Sequence, residues 1–245
     1  MNLNYFLIIF LIFIIIYFIL KKLNILKDSN EYSSHKLLGS ENKSPVILGG
    51  LYILIIISIF HSTVSLNINI ALGFIVILGL LSDKNILPNP KLRLLFQVLI
   101  LSFLVYLDKL EINDLRHEYL NLFLSYNFFN IFFTVFCLTI LLNGSNFLDG
   151  LNGLISGYYL IVIISLLSLN YINSSLFNFD HNLLIILFYT LLIFFMFNVF
   201  GLVYLGDGGT YAISLLLGTF LIEFYSTNDL VSPYYIAAIL WYPAF

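Results

Sequence analysis

The chain has little charge. Only 9% of its 245 residues are Asp, Glu, Lys or Arg while 61% are hydrophobic, so the remainder cannot cover a water-soluble surface. It also has a single cysteine, Cys137, which lies inside an apolar run. That excludes a disulfide framework and a cysteine metal site, and leaves Cys137 as a small core residue. No basic residue precedes the first apolar run and no small-x-small cleavage site follows it, so this run reads as a retained helix.

What is present is a series of apolar runs, approximately 3–20, 45–63, 66–82, 92–107, 126–143, 154–170, 183–200, 210–226 and 232 onward. Each approaches the ~20 residues that an α-helix needs to cross a ~30 Å hydrocarbon core. They predict an all-α, polytopic membrane bundle of about nine helices, with residues 1–245 as one membrane-embedded domain. Lys21, Lys22, Lys27, Lys36, Lys43, Lys84, Lys91 and Arg93 lie in or beside the first and third loops, against Lys109 and Arg116 in the others. The positive-inside rule then places the first and third loops in the cytoplasm and the N-terminus outside. The net charge of -3 weighs little beside this asymmetry, and no nucleic-acid partner is expected. His61, His117 and His181 fall in predicted outer loops and read as solvated, Glu223 as a snorkelling or interhelical residue, and 108–121 as a solvated interfacial loop or short amphipathic helix.

With that topology three polar stretches emerge on one side: "GLLSDKN" at 79–85, "NGSNFLDGLNGL" at 143–154 and "YLGDGGTY" at 204–211. They bring Asp83, Asp149 and Asp207 to one face at similar depth, and carboxylates near a membrane edge are costly enough to suggest one site. Carboxylates without a histidine or cysteine cluster suit a hard ion such as Mg²⁺, which takes one or two of them together with substrate phosphates. Gly-rich turns let backbone N–H groups approach phosphate oxygens. Asn143, Asn146, Asp149 and Asn152 recur every third residue, so each sits about one turn from the next along a slowly winding row, and Gly150 and Gly153 allow the helix to loosen. Amide side chains offer donors and acceptors for a base, a ribose or an acetamido group.

These residues resemble the polyprenyl-phosphate N-acetylhexosamine-1-phosphate transferases, members of glycosyltransferase family 4. "HKLLGSENKSPVILGG" at 35–50 looks like the family's basic first loop, and "GLLSDKNILPNPKLRLLFQ" at 79–97 like its acidic third loop followed by a basic helix start and a Gln. "NGSNFLDGLNGL" is similar to its asparagine-rich motif and "YLGDGGTY" to its Gly-Asp loop. The resemblance implies transfer of a sugar 1-phosphate, of the N-acetylhexosamine type, from a UDP-sugar to undecaprenyl phosphate in a bacterial inner membrane, with the active site facing the cytoplasm and UMP released. It implies Mg²⁺, with Mn²⁺ able to replace it, at Asp207. Asp83 and Asp149 would be catalytic, and Asn143, Asn146, Gly150, Asn152, Lys43, Lys91 and Asn198 would bind substrate. A homodimer is an allowed assembly.

Two residues depart from the family pattern: its Asp-Asp pair reads Ser82-Asp83, and the second aspartate of the Asn-rich motif reads Asn152. Both departures are similar to a branch that initiates surface polysaccharides. The resemblance further implies a C-terminally incomplete chain, since "LWYPAF" stops inside the expected ninth helix. The rival expectations are an inactive lipid-binding remnant and an ion-coupled transporter, the latter calling for deep polar residues in several helices and an internal repeat.

Overall fold

The computed structural model describes residues 3–26, 45–172 and 181–244. These residues form ten α-helices: α1 Leu3–Leu23, α2 Gly49–Ile59, α3 Leu66–Asp83, α4 Pro90–Asp108, α5 Glu118–Leu124, α6 Asn127–Leu148, α7 Leu154–Ile172, α8 His181–Val199, α9 Gly206–Ser226 and α10 Pro233–Trp241. Each predicted apolar run coincides with one of them, while the segment 108–121 is mostly loop, with only its last residues in the start of α5. The chain is therefore an all-α, multi-pass membrane bundle. Among the described residues, six of the nine spans expected are long and apolar enough to cross a bilayer: Asn4–Leu23, Leu66–Asp83, Pro90–Asp108, Asn127–Leu148, His181–Val199 and Gly206–Ser226. The three that fall short are α2, α7 and α10, and at α2 the shortfall has a local cause. Residues Val46–Ile47 are taken up by a strand and His61–Thr63 by a 3-10 turn, which leaves 11 residues, a rise of about 16 Å. α10 likewise gives way to a 3-10 turn at Tyr242–Ala244.

That strand, β1, pairs in parallel with β2, Val203–Tyr204, in the register Val46↔Val203 and Ile47↔Tyr204. The pairing ties the start of α2 to the start of α9, a link that the hydropathy pattern did not suggest.

α9 is the centre. It packs against α2, α3, α6 and α10, and 89% of its most apolar window is buried, against 22% for α1 and for α4. Its mean hydropathy is 1.2 where that of α1 is 2.7. In lipid, burial of apolar side chains gains little over contact with acyl chains, so helices associate through close packing of small residues. α9 supplies them. A Cβ at Gly218 would lie 2.6 Å from Leu138 Cδ2 on α6, and one at Gly50 on α2 would lie 2.9 Å from the Gly208 carbonyl carbon. The tightest approach is between α3 and α9, where a Cβ on Gly79 would stand 2.2 Å from Gly208 Cα. Cys137 is 3% exposed on α6, as expected of a core residue.

The end of the bundle away from the polar motifs is tied by its own network. Ser65 caps α3, accepting from the N–H of Ile68 at 3.0 Å and donating to Asp108, the last residue of α4. Asn130, 2% exposed, accepts from the N–H of Ile112 and donates to the carbonyls of Ile112 and Leu124. Arg116 donates through Nη2 to the carbonyls of Asp229 at 2.6 Å and Val231 at 2.7 Å. The N–H of Arg116 and the amide of Asn121 both donate to Asp114, which holds that carboxyl below its ordinary range. The loop between α4 and α6 is thus pinned to the loop after α9.

Replacing Gly79 with Ala is expected to force α3 and α9 apart and to destabilise the bundle by about 1–3 kcal/mol, the usual scale for overpacking. Gly73→Ala on the same helix, where a Cβ would meet nothing within 4 Å, is the matched control. Thermal unfolding of both variants in detergent checks this, and equal midpoints would contradict the close approach.

Candidate active site

α3 ends at Asp83, and the turn that follows uses a left-handed Asn85 (φ 55°), a conformation that Asn tolerates. α4 then restarts at Pro90 behind its cap Asn89, whose side chain accepts from the N–H of Lys91 at 3.0 Å. This tight return lays Arg93 beside Ser82, so that Arg93 Nη1 donates to the Ser82 hydroxyl.

α9 meets this pair with its first turn. Asp83 Oδ1 accepts from the backbone N–H of Asp207 at 2.9 Å, and Oδ2 from that of Gly208 at 3.4 Å. Those are donors that a helix N-terminus leaves unpaired, and a carboxylate there is favoured by the helix dipole. Gly206 makes the turn possible: its φ is +69°, and a Cβ would lie 2.5 Å from Ile47 Cγ2 and 2.7 Å from Asp83 Oδ2. The side chain of Asp207 faces the other way, into the turn between α3 and α4. Its Oδ2 accepts from Ser82 Oγ at 2.5 Å and from Arg93 Nη1 at 2.8 Å, with the Arg93 and Asp207 side chains 23% and 22% exposed. Tyr211, one turn further along α9, has Asp207, Arg93, Gln97 and Asp83 as its polar neighbours.

Gln97, one turn after Arg93, carries the site across to α6. It is 0% exposed, and its Oε1 accepts from Asn143 Nδ2 at 2.9 Å while Nε2 is buried without a partner. Asn143 also donates to the carbonyl of Thr139 at 2.9 Å. The expected row continues through Asn146 and reaches Asp149, the C-cap of α6, where the helix stops. Gly153, at φ +80°, turns the chain into α7. The loosening expected at the glycines is therefore a complete break, and Asn152 sits off the helix, exposed with Gly150.

Among the described residues no group of three or more His, Cys, Asp and Glu side chains is placed to hold one metal ion. Asp83 and Asp207 meet, and Asp149 does not complete a trio of carboxylates with them; it stands partly buried at the end of α6, which reaches the cluster through Asn143 and Gln97. Asn198 is 3% exposed, its Oδ1 accepting from the N–H of Gly153 at 2.8 Å and its Nδ2 donating to the carbonyl of Val203 at 2.8 Å. It joins the start of α7 to β2. Lys91 is exposed on the first turn of α4, and Lys43 lies outside the described residues. Sequence reasoning missed Arg93, whose charge was counted toward topology, and left Gln97 in its motif without a role. Their spacing of four residues at the start of a helix that follows an acidic turn was the available signal.

One end of a membrane bundle thus gathers carboxylates, a guanidinium and amides at the depth where helices stop. Residues 65–225, from α3 through α9, match the family model for glycosyl transferase family 4, and the chain belongs to that family. The family transfers a phospho-sugar from a nucleotide-sugar donor to a lipid-linked acceptor, which makes this chain a transferase of that class. No curated protein matches the chain.

Asn198→Ala is expected to leave the N–H of Gly153 and the carbonyl of Val203 without partners, at about 1–3 kcal/mol for each buried group. Asn152→Ala, at an exposed position, is expected to stay within about 0.5 kcal/mol of the parent. Unfolding midpoints of the two variants measured side by side distinguish a scaffold residue from a surface one.

Proposed function

We propose that the protein transfers a sugar 1-phosphate, of the N-acetylhexosamine type, from a UDP-sugar to undecaprenyl phosphate at the cytoplasmic face of a bacterial inner membrane, as the first step of a cell-envelope polysaccharide. The observation that carries this reading is the joining of Asp83, Ser82 and Arg93 to Asp207 in the first turn of α9, inside the segment that matches the family. In the reaction the bond between the two donor phosphates breaks, a bond from the lipid phosphate to the sugar-bearing phosphorus forms, and UMP leaves.

The donor set fits Mg²⁺. The contacts of the Asp207 side chain fall on Oδ2, and at 22% exposure the carboxylate is reachable from water. One carboxylate with substrate phosphates and water is a common Mg²⁺ environment. When bound, Mg²⁺ or Mn²⁺ supplies charge neutralisation at the phosphates and stabilisation of the departing one. Asp207 would hold it. Asp83 keeps the first turn of α9, and so Asp207, in place. Lys91 and Arg93 lower the repulsion between a diphosphate donor and a phosphate acceptor. Asn143, Asn146, Asp149 and Asn152 lie along the end of α6 and its turn, where they orient the donor's polar groups. Ser82 and Asn152 remove no necessary base, because a phosphate monoester has its second pKa near ~6 and is already a nucleophilic dianion at neutral pH.

The acceptor's isoprenoid tail requires an apolar path that begins at the site. α3 and α4, which carry Asp83 and Arg93 at one end, enclose a groove of about 260 Å³ further along, lined by Ala71, Phe74, Phe103, Leu107 and their neighbours. A chain lying between these two helices would place its phosphate beside the polar end.

Asp207→Asn is expected to lower UMP release from UDP-N-acetylhexosamine by about a hundredfold or more, the scale for losing one group that stabilises transition-state charge. The assay uses the full chain in liposomes with undecaprenyl phosphate and Mg²⁺, with membrane insertion checked in parallel. Release at the parental rate by the inserted variant would overturn the role of Asp207.

A further inference from the structure

Arg93 is an incompletely satisfied cation. A guanidinium offers five N–H donors and reaches its strongest anion contact as a two-pronged fork. Here one nitrogen, Nη1, serves both Ser82 and Asp207 Oδ2, while Nε is buried with no acceptor. Of the two partners of Arg93, Ser82 offers a hydroxyl and no charge. The carboxylate that Arg93 contacts is the one read above as the divalent-cation ligand, and the inference rests on that reading. Two cations at one partly buried carboxylate repel each other strongly, since screening falls with burial.

We propose that Arg93 occupies the cation position of Asp207 in the substrate-free protein, so that a divalent ion loads there tightly only when an anionic donor draws the guanidinium away. The same movement satisfies Arg93, because a phosphate accepts from Nε and an Nη together as Asp207 does not. Donor and metal therefore bind as one event, and the empty enzyme holds its metal weakly. A purely structural Arg93–Asp207 link makes the opposite prediction: cutting it loosens the first turn of α9 and leaves metal affinity unchanged or lower.

The test is titration of the full chain in nanodiscs with Mn²⁺ alone, free Mn²⁺ being followed by electron paramagnetic resonance. Arg93→Gln is expected to bind Mn²⁺ roughly tenfold more tightly than the parent, within the usual range of site-to-site coupling, and Arg93→Lys, which keeps the competing charge, to bind as weakly as the parent. Asp207→Asn in the same titration is expected to lose the site. If Asp207→Asn loses it while Arg93→Gln gains nothing, the metal assignment stands and the competition is overturned. If Asp207→Asn binds as the parent does, the metal assignment itself fails. A second measurement avoids substitutions at the pair: labelling of the parental protein with phenylglyoxal, read by mass spectrometry. Saturating Mn²⁺ is expected to speed modification of Arg93 several-fold while leaving Arg116, at the opposite end, unchanged. An Arg93 rate indifferent to Mn²⁺ overturns the proposal.

Discussion

The site depends on how closely α3 and α9 approach. Helix axes in proteins ordinarily stand 8–10 Å apart because side chains fill the interval. At the crossing of Gly79 and Gly208 there are no side chains to fill it, and a single Cβ would already overlap backbone at 2.2 Å. Only at that separation can the carboxylate of Asp83, four residues beyond Gly79, reach the backbone N–H groups of Asp207 and Gly208. The glycines and the aspartate therefore act as a unit: close packing sets the reach, and the helix-terminal hydrogen bonds hold the register. Gly50 on α2 meets the same Gly208, so a third helix is locked at this junction, and β1 adds backbone pairing beside it.

This arrangement also explains why the helix with the lowest mean hydropathy among the candidate spans is the most buried. In a soluble protein the central helix is the most apolar. In a bilayer the outside is as apolar as the inside, and what distinguishes the centre is the density of small and hydroxyl-bearing residues. Thr210 and Ser214 on α9 return their hydroxyls to the backbone carbonyls of Gly206 and Thr210. Ser214 also meets Tyr159 of α7, whose hydroxyl reaches Ser145 of α6. These are deep polar groups in three helices, yet all are neutral hydroxyls that satisfy one another, which makes them interhelical packing contacts.

Much of the fold was legible in the sequence, because each long apolar run becomes a helix, although those at α2 and α10 are too short to span. The shared end of the polar motifs followed from alternation of direction, and the meeting of Asp83 with Asp207 followed from that. What was not legible had physical reasons. β1 and β2 are two residues each, well below the length of about five at which alternation identifies a strand. The crossing distance at Gly79 is a property of two helices and has no single-chain period. Asn198 carries the same amide as Asn152, and only three-dimensional contacts separate a buried tie from an exposed group. Arg93 was hidden by its company: in a basic loop a positive charge already has an explanation in topology.

The Ser82 position shows how far a motif can mislead about charge. Read as a motif, it is a lost carboxylate. In the structure its hydroxyl still donates to Asp207 and accepts from Arg93, so the geometry that links α3, α4 and α9 survives the loss. What changes is the field. Asp83 and Asp207 carry two negative charges and Arg93 one positive, leaving one negative charge at this cluster, and the N-terminus of α9 offsets part of it where Asp83 sits. A carboxylate at position 82 would be a third in this cluster and would add a full negative charge to it. Serine keeps the hydrogen bonds to Asp207 and Arg93 and omits that charge.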